Sequence, residues 1–256
     1  EARGVTVRLG AVLAVRDVDL ALRGGEVAVL IGRNGAGKSS LLWALHGAGP
    51  RAAGSVHIDG PGDATPNAAS VRRTIGLVPQ TPSDLLFAET VAAECDASDA
   101  DAARRPGTTR SILDGLVAGI GDEIHPRDLS EGQRLALVLA IQLAAGPRIV
   151  LLDEPTRGFD YPAKRRFTRM IRDLARGGRA IVVATHDAEL AASLADRVLV
   201  MAEGEIVADG SPIEILSGSA AFASQVARII GRGWLTVEQV RAALTARATN
   251  AGAVPR

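Results

Sequence analysis

The segment Gly32-Arg33-Asn34-Gly35-Ala36-Gly37-Lys38-Ser39 constrains this chain more than any other feature. It sits between two apolar runs, residues 27–31 and 41–45. The spacing G-x-x-x-x-G-K-S between a predicted strand and a predicted helix is the pattern of a phosphate-cradling loop. Glycines let the backbone curl so that successive N–H groups point at one anion. The helix that follows adds the positive end of its dipole. Lys38 is then placed to reach the β- and γ-phosphates of a nucleotide, and the Ser39 hydroxyl to ligate Mg²⁺. Gly32, Arg33, Asn34, Gly35, Ala36, Gly37, Lys38, Ser39 and Ser40 are the expected nucleotide-contacting residues.

A second element matches the first. Ile149-Val150-Leu151-Leu152-Asp153-Glu154 is four apolar residues followed by two acids. A buried parallel strand with carboxylates at its C-terminal edge puts them where open α/β sheets bind ligands. Asp153 is placed to hold Mg²⁺, directly or through water. Glu154 is placed to orient or deprotonate an attacking water.

The rest of the chain suits such a sheet. Short β-like runs fall at residues 5–9, 11–15, 18–22, 27–31, 55–58 and 74–78, punctuated by Gly24-Gly25 and Pro61-Gly62. Residues 80–146 read mostly helical, and the Asp/Ala/Arg-rich stretch 96–106 reads as a solvated loop. From 147 the pattern returns: strand 149–152, helix 163–175, strand 180–184, helix 188–194, strand 198–202, turn Glu203-Gly204, strand 205–208. Strands alternating with helices imply a parallel sheet. The tail, 211–256, reads as separate helices. Thr236 with Gln239 makes a capping box ahead of Val237, Val240 and Leu244. Domain limits are expected at 1–210, with a helical insert over about 80–146, and at 211–256.

Composition excludes several classes. With 256 residues, 47% hydrophobic and 23% charged, the chain can bury a core without staples. Its 29 Lys+Arg balance 29 Asp+Glu, so no nucleic-acid partner is expected. One cysteine, Cys95, excludes an intramolecular disulfide framework and fits a reducing compartment. No uncharged apolar run reaches the roughly 18 residues needed to span a bilayer, so a membrane role requires a partner. Only Lys38 and Lys164 are lysines; every other basic residue is arginine.

Leu129-Ser130-Glu131-Gly132-Gln133 alone reads as a helix start with Ser130 as N-cap. Set between the loop and the paired acids, it makes the chain resemble the ATP-binding-cassette (ABC) ATPases over residues 4–215. In that family this segment is the signature motif, with Gly where Glu131 stands. The resemblance implies an α/β P-loop core with an antiparallel β subdomain, a helical subdomain and a C-terminal helical extension. It implies that ATP and Mg²⁺ bind between two domains set head to tail. Ser130, Gly132 and Gln133 would then meet the γ-phosphate held by the partner domain, with Glu131 weakening that contact. Gln80 resembles the glutamine that senses Mg²⁺ and water. The stretch from Thr156 to Asp160 resembles the D-loop, with Phe159 for the usual Leu. His186 resembles the switch histidine, bonding the γ-phosphate. The family also stacks an aromatic on adenine. Here no aromatic precedes Trp43, and Leu9 holds the corresponding place, which implies weak adenine selectivity and stacking by Arg8 or Arg16.

The run from Gln80 through Pro82, Leu86, Phe87, Thr90 and Val91 resembles the ATPases of energy-coupling-factor (ECF) importers, with Leu85 where that group has a second glutamine. Residues 154–161 with Lys164, and tail segments 221–227 and 234–237, resemble them too. This implies import of a vitamin or transition-metal ion, with a transmembrane scaffold and a small substrate-binding membrane subunit, at the cytoplasmic face of the membrane. The absence of an initial Met and the tail suggest one half of a fused pair. Rival readings are an ABC ATPase of another transporter type, a non-transport ABC ATPase, a non-catalytic nucleotide-gated scaffold and a P-loop kinase. The roughly ninety residues between loop and signature carry no heptads, against the coiled-coil repair type. Glu154 and His186 argue against the scaffold, and Ser130–Gln133 against the kinase.

Overall fold

The computed structural model describes residues 1–59, 74–218, 222–231 and 233–251. Its strands are β1 (Ala2–Leu9), β2 (Val12–Leu20), β3 (Val27–Ile31), β4 (Ala53–Val56), β5 (Ile75–Val78), β6 (Ile149–Asp153), β7 (Ala180–Thr185), β8 (Arg197–Ala202) and β9 (Glu205–Gly210). The helices are α1 (Lys38–His46), α2 (Val91–Asp101), α3 (Thr108–Leu116), α4 (Glu131–Ala144), α5 (Tyr161–Arg176), α6 (Ala188–Leu194), α7 (Pro212–Gly218), α8 (Gln225–Ile230) and α9 (Val237–Ala251).

The apolar runs of β3, β6 and β7 form the centre of a six-stranded sheet, ordered β5-β6-β7-β3-β8-β9. All pairings are parallel except the β8–β9 hairpin. Alternation along each strand divides the side chains between two cores. Val27, Val29, Ile31, Leu152 and Val183 face α4 and α5, through Leu135, Leu139, Phe167 and Ile171. Ala28, Leu30, Leu151 and Val182 face α1 and the small antiparallel sheet β2-β1-β4, through Leu41, Leu42, Val5 and Val15. Burial on both faces is why these strands carry continuous apolar sequence.

Helix α4 is apolar nearly all round because it serves two cores. Leu135, Val138, Leu139 and Leu143 pack toward the sheet. Ala136, Leu137 and Ala140 pack against Val91, Cys95 and Leu113 of the helical subdomain. Tail residues Leu216, Ala227 and Leu235 join the core over β3 and β7. The capping box forms as expected: the Gln239 amide donates to Thr236 Oγ1 at 3.2 Å, and the Thr236 amide to Gln239 Oε1 at 3.1 Å.

Three local expectations fail. The stretch 96–106 is not a solvated loop, since α2 continues to Asp101 with Asp99 buried. Its carboxylate accepts from the Thr108 and Thr109 amides at 3.0 and 2.8 Å and from Thr109 Oγ1 at 2.6 Å. Asp99 thus caps the start of α3, whose own N-cap, Gly107, has no side chain to do so. Residues 11–15 and 18–22 are not two strands; β2 runs through Asp17, which takes a positive φ of 48°. Strand β4 lies two residues earlier than 55–58. The Pro61-Gly62 turn and Ala221 lie outside the described residues. No helix among the described residues is long and apolar enough to cross a membrane.

Cys95 is 2% exposed, and burial pushes its thiol up to about 11. At pH 8 the native thiol is expected to react with a disulfide reagent at least about a hundredfold more slowly than in guanidinium, because only the thiolate attacks. Comparable native and denatured rates would contradict this burial.

Candidate functional site

The turn between β3 and α1 is squeezed from two sides. A Cβ on Gly32 would lie 2.4 Å from the Met201 carbonyl oxygen of β8. One on Gly37, where φ is 107°, would lie 2.3 Å from the Ala14 carbonyl oxygen of β2. Neither position admits a side chain. Gly37 is also the N-cap of α1, without a capping side chain or an acid in the first turn. The first N–H groups and the positive helix end are therefore free to face an anion.

Beside this turn lies a cleft of about 770 Å³ at the C-terminal edge of the sheet. Of the expected loop residues, Asn34, Gly35, Gly37, Lys38, Ser39 and Ser40 line it. Gly32, Arg33 and Ala36 do not; Gly32 and Ala36 are buried behind the turn and Arg33 points to solvent. Gln80, Asp153, Glu154 and His186, also expected, line the cleft with them.

Lys38 is buried, and its ammonium donates to the Gly32 and Arg33 carbonyls at 2.8 and 3.2 Å. It also lies 3.8 Å from Glu154 Oε1. An ammonium has three donors, so one remains for an anion in the cleft. Asp153 is 2% exposed. Burial raises its pKa against the pull of a Ser39 hydrogen bond; Glu154 adds to the rise and Lys38 opposes it. Its Oδ1 has no hydrogen-bond partner. A buried carboxylate oxygen without a donor, next to a serine hydroxyl, fits a hard divalent cation that keeps water and phosphate oxygens as its other ligands. Among the described residues no three His, Cys, Asp or Glu cluster as a metal site.

Glu154 takes a positive φ of 47°, with its amide donating to the Ala184 carbonyl at 2.9 Å. Strained non-glycine backbone of this kind persists where surrounding structure enforces it. The carboxylate is fixed from two directions: Oε1 lies 2.8 Å from His186 Nδ1, and Oε2 accepts from Thr185 Oγ1 at 3.2 Å.

Ser130, Gly132, Gln133 and Asp160 do not line this cleft. Ser130 is exposed at the tip of α4, and with Gln133 it forms a capping box. Glu131 is ion-paired with Arg134 at 2.9 Å, so the added acid has a cation beside it. Among the described residues outside its own helix backbone, a Cβ on Gly132 would meet only Phe159 Cζ, at 3.8 Å, an ordinary van der Waals contact. Asp160 caps α5, accepting from the Ala163 amide at 2.7 Å. Leu9 and Arg16 line the cleft and Arg8 does not, which removes Arg8 from the adenine-stacking pair. Sequence reasoning passed over Thr185, Arg157, Val12 and Glu203, which shape the cleft. Only Thr185 carried a signal, as a hydroxyl beside His186.

The family profile described as ABC transporter matches residues 15–157. A Streptomyces coelicolor protein described as an ABC transporter ATP-binding protein is 55% identical over 249 residues, 96% of this chain and 44% of that protein. The cobalt import ATP-binding protein CbiO of Rhodobacter capsulatus is 34% identical over 220 residues, 84% of this chain and 79% of CbiO. The structure of cbiO1 from Clostridium perfringens, part of the transporter complex cbiONQ, shares the fold with a TM-score of 0.73 at 24% identity, over 85% of this chain and 90% of that one. This chain spans less than half the length of the Streptomyces relatives it matches.

Gly37→Ala is expected to lower the melting temperature by several degrees and abolish binding of a fluorescent nucleotide. Gly35 has open space around its Cα, so Gly35→Ala is expected to cost only the left-handed backbone, about 1–2 kcal/mol. Equal effects in a paired thermal melt and titration would show that the Ala14 carbonyl is not the constraint.

Proposed function

This chain belongs to the ABC transporter family, and from that premise we propose that it is the ATP-binding and ATP-hydrolysing domain of an ECF-type importer. One observation carries the enzymatic part: Lys38, Asp153, Glu154 and His186 converge on one cleft while the capped tip of α4 stands exposed outside it. The subfamily rests on the segments around Gln80, Glu154 and Lys164, and on the likeness to CbiO.

The triphosphate lies in the turn, with Lys38 on its β- and γ-phosphates. Asp153 and Ser39 would hold Mg²⁺, which when bound neutralises charge on the phosphate oxygens, and Gln80 would face its water. Glu154 accepts a proton from water as the water oxygen bonds to the γ-phosphorus and the bond to the bridging oxygen breaks. His186 donates a hydrogen bond to the phosphoryl group as charge shifts. Positioning and fixed charges supply the rate; no covalent intermediate is needed.

The γ-phosphate of one domain is completed by Ser130, Gly132 and Gln133 of a second domain, set head to tail, with Asp160 near the junction. Two bound ATP molecules close the pair, and hydrolysis reopens it. The mostly exposed side chain of Phe87, with Glu89, His125 and Arg127, borders a second cleft of about 480 Å³ next to the Gln80 segment. A transmembrane scaffold contacting that face would take up the closing motion at the cytoplasmic side of the membrane, and a substrate-binding membrane subunit would select the vitamin or metal ion. Residues 1–210 act as the ATPase domain and 211–256 as its helical extension.

Glu154→Gln is expected to keep MgATP binding, lose at least about a hundredfold in turnover and accumulate as an ATP-bound pair on size exclusion. Hydrolysis at the parental rate would remove Glu154 as the base. Leu9 and Val12 offer aliphatic surface to the base and Arg16 a guanidinium. GTP is therefore expected to compete with ATP within about threefold, since no aromatic ring contributes stacking. A strong ATP preference in the competition titration would contradict that base site.

A further inference from the structure

Two lysines stand among 29 basic residues, and both serve the edge of the sheet that carries the cleft. Lys38 is in the phosphate turn. Lys164, in the first turn of α5, donates its ammonium to Asp187 Oδ2, with Lys164 two-thirds buried and Asp187 more so. Asp187 follows His186 directly. Its Oδ1 accepts from the Glu189 and Leu190 amides at 2.9 and 3.1 Å, capping α6. Its own amide donates to Thr185 Oγ1 at 3.1 Å, and that hydroxyl donates to Glu154 Oε2 at 3.2 Å.

We propose that Lys164 is a positioning residue: it anchors Asp187, and through Asp187 and Thr185 it fixes His186 and Glu154 against each other. The proposal rests on the hydrolytic reading above. His186 is held between two residues that are each bonded on both sides, while its own ring is 60% exposed and hydrogen-bonds Glu154. An exposed imidazole keeps one orientation only if its backbone is fixed. Lys164 supplies that fixity from a different element, α5, which begins right after Asp160. Burial alone would raise the Asp187 carboxyl, but bonds from Lys164 and from the Leu190 and Glu189 amides outweigh it and hold it below the ordinary carboxylate range. Asp187 is therefore a charged anchor at neutral pH. A compact ammonium suits its single carboxylate oxygen better than the forked guanidinium used elsewhere in this chain. The same two helices are also joined at their far ends, where Arg172 Nη2 donates to the Ser193 carbonyl at 3.1 Å. That second tie is a built-in control: it packs α5 on α6 without touching the His186 loop.

The test compares the parental full chain with K164M, K164R and R172M. Three quantities are read: MgATP turnover, nucleotide affinity, and amide hydrogen exchange at residues 187–190. For K164M we expect kcat about tenfold lower with KM for MgATP within about twofold, and exchange at Asp187, Glu189 and Leu190 at least about tenfold faster. K164R, which keeps the cation, recovers at least half of the lost turnover. R172M leaves kcat and the exchange at 187–190 within about twofold of the parent. The proposal is overturned by K164M turnover within twofold of the parent, by unchanged exchange at 187–190, by no rescue in K164R, or by an equal loss in R172M. A parental chain that binds MgATP without hydrolysing it would refute the hydrolytic reading instead, and the exchange measurement would still decide whether Lys164 holds the loop.

Discussion

Two backbone carbonyls govern this structure. The oxygens of Ala14 and Met201 approach the turn after β3 so closely that Gly37 and Gly32 cannot carry a Cβ. Those carbonyls come from different sheets, β2 of the antiparallel one and β8 of the central one. The turn is thus the place where the two sheets meet. Its curl is imposed from outside, and the glycines are what allow it. Backbone N–H groups aimed at an anion cost no reorganisation when they are held in this way. The Gly204 amide, which bonds to the Ala36 carbonyl, and the Arg16 amide, which bonds to Gly204, close the same junction.

Behind the turn the charges are arranged to be shared. Lys38 spends two donors on carbonyls and stands near Glu154, and Asp153 keeps one oxygen without a donor. A buried acid with an unmet lone pair is unfavourable unless a ligand completes it. The same economy appears at Glu154, whose strained φ turns its carboxylate toward Thr185 and His186. These features are hard to explain by stability and simple to explain by a phosphate and a cation.

The sequence made the parallel core and the phosphate turn legible because both are local. Apolar runs of strand length, the glycine spacing and the terminal acids of β6 each lie within a few residues. Asp99 was misread because its partners, Thr108 and Thr109, lie in the next helix; a polar composition looks solvated until those amides are found. The β2 strand was split in two because Asp17 breaks the alternation with a left-handed residue. Thr185 and Asp187 were passed over for a related reason. Their hydroxyl and carboxylate look like ordinary helix-start chemistry, and only the fold brings Lys164 and Glu154 to them. Arg8 and Arg16 were equivalent in sequence, and only the fold shows that Arg16 lines the cleft and Arg8 does not.

The exposed tip of α4 acquires meaning from what the helix does along the rest of its length. Ser130 and Gly132 are at the surface, while Leu135, Val138, Leu139 and Leu143 lie in the core with Val78, Val150 and Leu152. Strand β5 ends two residues before Gln80, and β6 ends at Asp153, with Glu154 next. Farther along, Gln142 Oε1 accepts from the Leu77 amide at 3.2 Å, so α4 is bonded to β5 as well as packed on it. Close-packed interiors transmit displacement instead of absorbing it. Helix α4 and strands β5 and β6 thus form one packed unit that runs from the tip to the acids. On the head-to-tail reading proposed above, a glycine in that tip, met only by Phe159 Cζ at 3.8 Å among the described residues, leaves room for another molecule's bound phosphate to approach closely.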